Sequence, residues 1–306
     1  MRPHAGKIKR LFLCLLLAAA ICVPGCGAQA SVSAADAGFS FIFMSDTQAD
    51  PEAGDYSALG VLLDKALAHE SAPRLLLLGG DNVNDGSSAN EWDDFWAAAD
   101  GRLDDITVAS AAGNHDSSPL LAGQFDYPET APEASADGFF YTFSKGNVFF
   151  LMLDSNIMGG GGAAHAEWLA DQLASDAARS AAWRVAVSHH PMWPVAEIPK
   201  DAQRAQTMRD VFLPLMEAGG IDLLLCGHQH VYARTAPVAG EGFVQIMAAS
   251  GAKDSYIAGD PGYIAEAAGA PNYIIVEAGA DVMRITAFDG GGKAFDSLQI
   301  SGGKGK

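Results

Sequence analysis

Residues 75–85 read LLLLGGDNVND. The leucine run reads as a buried strand, and the two glycines that end it let backbone approach a ligand closely just before Asp81 and Asn84. The same construction recurs at four other places. FSFIFM runs into Ser45-Asp46-Thr47-Gln48, and ITVASAA runs into Gly113-Asn114-His115-Asp116. WRVAVS runs into His189-His190-Pro191, and IDLLLC runs into Gly227-His228-Gln229-His230. Each apolar run predicts a strand, which puts the polar groups at strand carboxyl ends, where open α/β sheets build their sites. Carboxylates, amides and imidazoles without a thiolate cluster suit one or two divalent or trivalent ions that activate water.

The chain has 306 residues, 49% of them hydrophobic, which is enough for a sizeable core and speaks against global disorder. Arg2, Lys7, Lys9 and Arg10 precede an apolar stretch of 13 residues, Leu11 to Val23. That stretch falls short of the roughly 20 residues of a membrane-spanning helix and reads as a secretory signal, with residues 1–26 removed. An uncleaved N-terminal anchor is the alternative. Val23-Pro24-Gly25-Cys26 resembles a bacterial lipobox, although Pro24 is an unusual occupant. Cys26 is therefore either a lipid anchor, the favoured reading, or part of the discarded peptide. Cys226 lies in a buried strand and is a poor disulfide partner for an N-terminal tail.

The formal charge is −18. Four of the 19 basic residues and none of the 37 acidic ones lie in the signal, so the remainder carries 15 against 37, or −22. Such an acidic surface excludes nonspecific nucleic-acid binding and aids solubility.

Residues 27–38 read as a short tether, 39–300 as one domain and 301–306 as a frayed tail. Helices are expected over 57–70, 90–100, 164–175 and 202–218, the last kinked or shortened at Pro214. Residues 139–154 read as a hairpin turning at Lys145-Gly146-Asn147, 117–138 as a surface loop, and Gly159–Gly162 as a flexible loop beside the site. From Asn272 onward the pattern is all strand.

The ordered set D-x-Q, GD, GNHD, H-x-P and GH-x-H resembles the calcineurin-like metallophosphoesterase superfamily, which includes the purple acid phosphatases. The resemblance covers roughly residues 39–300 and includes a closing strand pair with Asp296 and Ser297. It implies a four-layer α/β/β/α sandwich of two mixed sheets flanked by helices. It also implies two metal ions, the first held by Asp46, Gln48, Asp81 and His230, the second by Asp81, Asn114, His189 and His228. Asp81 would bridge them. Gln48 stands where the family usually has His, and a Gln carbonyl is a harder, weaker, neutral donor. Asn84 stands where purple acid phosphatases have a metal-bound Tyr, so a ferric–tyrosinate colour is not expected.

His115 resembles the residue that contacts substrate and protonates the leaving group. Asp116 is expected to hydrogen-bond His115, hold its tautomer and raise its pKa. His190 is expected to pack or to touch substrate. Arg234, in the extension Val231-Tyr232-Ala233-Arg234, is expected to brace the loop by pairing with an acid. Lys253 is the clearest basic candidate in the loops that would meet substrate.

These residues point to an exported binuclear-metal phosphoesterase acting on phosphomonoesters by metal-activated water, with His115 as general acid. The oxygen-rich first site favours Mn²⁺, Fe²⁺ or Mg²⁺ over Zn²⁺. One alternative is a phosphodiesterase acting on cyclic nucleotides, nucleic-acid ends or lipid headgroups. Another is a surface-binding protein on a degenerate phosphatase scaffold, which Gln48 supports and His115 opposes. The membrane would be met only through a lipid on Cys26.

Overall fold

The computed structural model describes residues 38–49, 54–116, 119–125, 139–156, 162–236 and 242–302, all within one compact unit. The expected signal, Cys26, most of the tether, residues 303–306 and three of the four glycines 159–162 lie outside the described residues; Gly162 opens a helix.

Thirteen strands form two mixed sheets among the described residues. The first sheet places β1 (Phe39–Met44) beside β2 (Leu75–Leu78) and β3 (Thr107–Ser110), all parallel. On the other side of β1 run β11 (Asn272–Ala278), β12 (Val282–Asp289) and β13 (Ala294–Ser301), all antiparallel. The second sheet has the order β10-β8-β9-β7-β6-β5-β4. Its parallel half is β5 (Val148–Leu153), β6 (Trp183–Ser188), β7 (Leu223–Cys226) and β9 (Val244–Met247). Its antiparallel edges are β4 (Tyr141–Lys145), β8 (Tyr232–Thr235) and β10 (Ile264–Ala268).

The apolar runs are continuous because both faces of each central strand are covered. In β1, Phe41 and Phe43 join the core between the sheets, where they meet Phe150, Met152 and Val185. The alternate residues Ile42 and Met44 pack under α1 (Ser57–Leu67) and α2 (Ala89–Ala99). On the far side, Phe149, Leu151 and Leu224 meet α3 (Gly162–Leu173), the short α4 (Asp176–Ser180) and α5 (Pro199–Ala218). The period of two along each strand thus sorts side chains into layers: helices, sheet, sheet, helices. This is the expected four-layer sandwich.

Helix α5 is not shortened at Pro214, one of the two outcomes expected there. It runs unbroken through Pro214 to Ala218. Pro214 is exposed and one turn from the end of the helix, where a lost backbone hydrogen bond is most easily tolerated. Strands β8, β9 and β10 went unread, because each is only four or five residues long and β10 alternates weakly.

Arg234 does brace the fold. From β8 its Nε donates to Asp296 Oδ2 at 2.6 Å and its second terminal nitrogen donates to Oδ1 at 3.1 Å. The Tyr232 hydroxyl donates to the same Oδ2 at 2.6 Å. Asp296 is on β13, so this cluster ties one sheet to the other. Burial pushes the Asp296 carboxyl up, but Arg234 and Tyr232 outweigh it and hold it below its ordinary value. A folded pKa below the unfolded one stabilises above the unfolded value and stops doing so as pH falls through the folded value. Asp296→Ala is therefore expected to cost about 1–3 kcal/mol in urea unfolding at neutral pH, and its difference from wild type to vanish in acid.

Candidate metal centre

The parallel strands β1, β2, β3, β6 and β7 all deliver their carboxyl ends to the same place. Backbone geometry there is unusual. Asp46, Asp81, His228 and His230 all have positive φ, at 52°, 53°, 78° and 50°. Non-glycine residues seldom adopt this left-handed region, and such strain clusters at functional sites. Here it turns each side chain back across the strand ends. Two glycines allow the loops to close. A side chain at Gly113 would collide with the Asp81 backbone and carboxylate, and one at Gly227 with Ser45 and the Asp46 carboxylate. The two sheets are also cross-bonded at this point: His228 N–H donates to both Asp46 oxygens, at 3.0 and 2.8 Å.

Five of the seven expected ligands fall into two groups, the second of which also takes in His190. Asp46, Asp81 and His230 place ligand atoms within 4.8 Å of one another, and so do His189, His190 and His228. Every residue of both groups is buried. The imidazoles are oriented by their outer nitrogens. His230 Nδ1–H donates to the Asp254 carbonyl at 2.8 Å, which turns Nε2 toward Asp46 Oδ1 at 3.5 Å. His189 Nδ1–H donates to the Gly79 carbonyl at 3.0 Å, which turns Nε2 toward Asp81 Oδ2 at 3.2 Å. His228 Nε2–H donates to Asp201 Oδ1 at 3.0 Å, which turns Nδ1 toward His189 Nε2 at 3.3 Å. Three lone pairs thus point inward, each fixed by an outer hydrogen bond in the manner of metal-binding histidines.

The amide donors fit the same purpose. Gln48 is fully buried and its Nε2 donates to the Val83 carbonyl at 3.2 Å. Its Oε1 has no hydrogen-bond partner, and neither has the buried Asn84 Oδ1. A buried amide oxygen left unpaired is costly unless it meets a cation or a donor. Asn114 is exposed, between Gly113 and a His115 backbone N–H that donates to Asp81 Oδ1 at 2.8 Å. Two carboxylates, three imidazoles and these amides are a donor set for hard to intermediate divalent ions. The residues present fit a divalent ion, and the two groups are its candidate sites.

Electrostatics agree with the geometry. Burial opposes charge on Asp81, but His189, the His115 N–H and the His115 ring together hold the carboxyl well below its ordinary value. Burial likewise opposes charge on His189, yet Asp81 raises its pKa to about 9. Asp81 therefore favours a positive group at His189 Nε2, whether proton or metal ion.

His190 does not join the ligands despite its proximity. Its Nδ1–H donates to Ser155 Oγ at 2.8 Å, and its Nε2 accepts from Arg204 at 2.5 Å. Burial first, then the charges of His189, His228 and Arg204, push its pKa well down, so it stays neutral.

Asp116 requires a correction. It does not hold His115. Its carboxylate is fully buried and accepts from the backbone N–H groups of Asn82 at 2.6 Å and Gly113 at 2.8 Å. These donors end β2 and β3 and would otherwise be orphaned, so Asp116 clamps the two loops together. Burial, reinforced by the Asp81 charge, raises its pKa to about 6. The partner of His115 is instead a backbone group: its Nδ1–H donates to the Asn84 carbonyl at 2.8 Å. Its Nε2 faces Lys253 Nζ at 3.2 Å, so Lys253 does reach this site.

Asp201 went unread in the sequence, because it comes from the first turn of α5, far from any motif. It also holds Gln229 Nε2 through its other oxygen at 2.8 Å.

The profile of the calcineurin-like phosphoesterase family matches residues 39–232, which include every ligand-bearing loop. The chain belongs to the calcineurin-like phosphoesterase family. Purple acid phosphatase 15 of Arabidopsis thaliana is 25% identical over 152 residues, which is 47% of this chain and 28% of that protein. An uncharacterised protein of Mycobacterium tuberculosis is 27% identical over 150 residues, 42% of this chain and 28% of its own length. The alignments thus span less than a third of these curated relatives. The purple acid phosphatase from yellow lupin (Lupinus luteus) seeds superposes with a TM-score of 0.71 at 15% identity, over 86% of this chain and 53% of that one. The anchor in the inner membrane complex of Plasmodium has a TM-score of 0.64 at 16% identity, over 87% and 89%. Both structures share the fold, and the sequence relatives of this phosphoesterase-family chain include a purple acid phosphatase.

Asp201→Asn is expected to weaken binding of Mn²⁺ about 10–100-fold in isothermal titration while the thermal melt moves little, because the imidazole of His228 loses its orienting carboxylate.

Proposed function

We propose that this chain is a binuclear-metal phosphoesterase that hydrolyses phosphomonoesters. The observation that carries this is the convergence of two buried ligand groups beside an outward-facing histidine. Asp46, Gln48, Asp81 and His230 would hold one ion, and Asp81, Asn114, His189 and His228 the other. When bound, such ions supply positive charge against phosphoryl oxygens and lower the pKa of a coordinated water.

The chain's own residues supply the rest. Asp81 presents one oxygen toward His189 Nε2 and accepts the His115 N–H with the other, so its orientation is locked before any substrate arrives. His115 is anchored at Nδ1 and turns Nε2 toward Lys253 Nζ at 3.2 Å; in its imidazolium form that Nε2–H would be the proton given to a leaving oxygen. Lys253 beside that nitrogen keeps positive charge where an anion must bind. These local cations answer the overall acidity of the chain, which would otherwise repel a phosphate ester. Mn²⁺, Fe²⁺ or Mg²⁺ suits the amide-bearing first group better than Zn²⁺.

The test is hydrolysis of an aryl phosphomonoester and the matching diester with each metal added in turn. Turnover is expected with the monoester, to be abolished by chelator and by His228→Ala, and to fall about 10²–10⁴-fold in His115→Ala. Preference for the diester would favour a phosphodiesterase. No turnover by folded, metal-loaded protein would favour a binding scaffold.

The basic-then-apolar segment from Arg2 to Val23 supports export, with Cys26 as lipid attachment point. Palmitate labelling of cells is expected to mark the wild-type chain and not Cys26→Ser.

A further inference from the structure

Arg204 stands apart from the other paired arginines. Arg102, Arg179 and Arg234 each have a carboxylate within ion-pair distance, at 2.7, 2.6 and 2.6 Å. Arg204 is only 8% exposed, yet among the described residues no carboxylate lies within that distance. A guanidinium has five N–H donors. One donates to His190 Nε2, at 2.5 Å, and the buried Nε has no partner. Buried charges are ordinarily paired, so this one is under-satisfied.

Its position is equally specific. Arg204 and Asp201 are three apart on the first turns of α5 and share a face. Asp201 reaches His228 Nε2 from that face. The His190 ring that receives Arg204 lies 4.3 Å from the His228 ring and 4.8 Å from the His189 ring. Burial lowers the Arg204 pKa, and the Asp201 and Asp81 carboxylates oppose that, so its charge is felt at the candidate bridging carboxylate. Ser155, His190 and Arg204 form a hydrogen-bonded chain, Oγ to Nδ1 and Nε2 to guanidinium, which anchors one terminal nitrogen of the guanidinium.

We propose that Arg204 is a substrate-binding residue of this site: held by His190, it takes a terminal oxygen of a phosphomonoester dianion and so selects monoesters over diesters. This rests on the phosphoesterase reading. The physical basis is charge. A monoester offers three terminal oxygens and close to two negative charges at neutral pH, while a diester offers two oxygens and one charge. An additional buried cation whose Nε–H is unpaired rewards the first far more than the second. It also gives His190 a use that metal ligation does not.

The experiment uses the full chain loaded with Mn²⁺ and compares wild type, Arg204→Gln and Arg204→Lys. Bound metal, thermal melts, inorganic phosphate titrated by calorimetry, and kcat/KM for paired aryl mono- and diesters are measured. Arg204→Gln is expected to lower kcat/KM for the monoester about 10²-fold and for the diester by less than about threefold, with phosphate affinity at least about tenfold weaker and metal content unchanged. Arg204→Lys is expected to recover part of the phosphate affinity, because it restores charge without the fork. Equal losses on both esters, or unaltered phosphate binding at full metal content, would overturn the proposal. If Arg204→Gln does not fold, Arg204→Lys must still weaken phosphate binding, and wild-type affinity in that variant sinks the idea. If wild type turns over neither ester, the phosphate titration alone judges Arg204, so the two readings fail separately.

Discussion

Everything at the candidate centre depends on backbone brought against carboxylate. Gly113 lies on Asp81 and Gly227 on Asp46, closer than any side chain would permit. Through these approaches the His115 N–H reaches Asp81 and the His228 N–H reaches Asp46. The first contact joins neighbouring strand ends in one sheet, and the second joins the two sheets. The left-handed φ of Asp46, Asp81, His228 and His230 is the conformational cost of this closure. The apolar layers beneath, with strands buried on both faces, are rigid enough to sustain it.

The polar groups around the ligands divide into those that orient and those that are oriented. The Gly79 and Asp254 carbonyls and the Asp201 carboxylate each engage one imidazole nitrogen and so aim the other inward. Asp116 works a step further out by satisfying the backbone donors of Asn82 and Gly113. In a chain this acidic, the cationic side chains beside the ligand groups, Lys253 near His115 and Arg204 near His190, stand out against the carboxylates around them.

Much of this was readable in advance. The five apolar runs ending in Asp, Asn, Gln and His marked the strand ends, because a strand buried on both faces must be continuously apolar and must stop where polar residues begin. The helices at 57–70 and 90–100 were legible from their apolar stripes, and the closing strands after Asn272 from alternation. The short strands from Tyr232 to Ala268 were not, since four residues carry too little pattern to separate from loop. Pro214 did not shorten its helix: an exposed position one turn from the end tolerates the lost hydrogen bond, and that exposure is a property of the packed helix.

By itself the sequence determined the alternation of strands and helices, the chemical character of the candidate ligand set and the loops that bear it, because these follow from residue type and periodicity along the chain, while the layered two-sheet sandwich was implied by the family resemblance. Only the tertiary structure decided which group each side chain serves. Asp116 and His115 are adjacent in sequence, yet one turns into the interior and the other outward to the Asn84 carbonyl. His190 and His189 are adjacent too, yet only His189 turns a nitrogen to the Asp81 carboxylate, since Arg204 and Ser155 occupy both of its neighbour's. Asp201 and Arg204 lie outside every motif and enter the centre only when α5 packs on the second sheet. Hydrogen bonding is a matter of a few tenths of an ångström and of direction, and both are set by contacts between residues far apart in the chain.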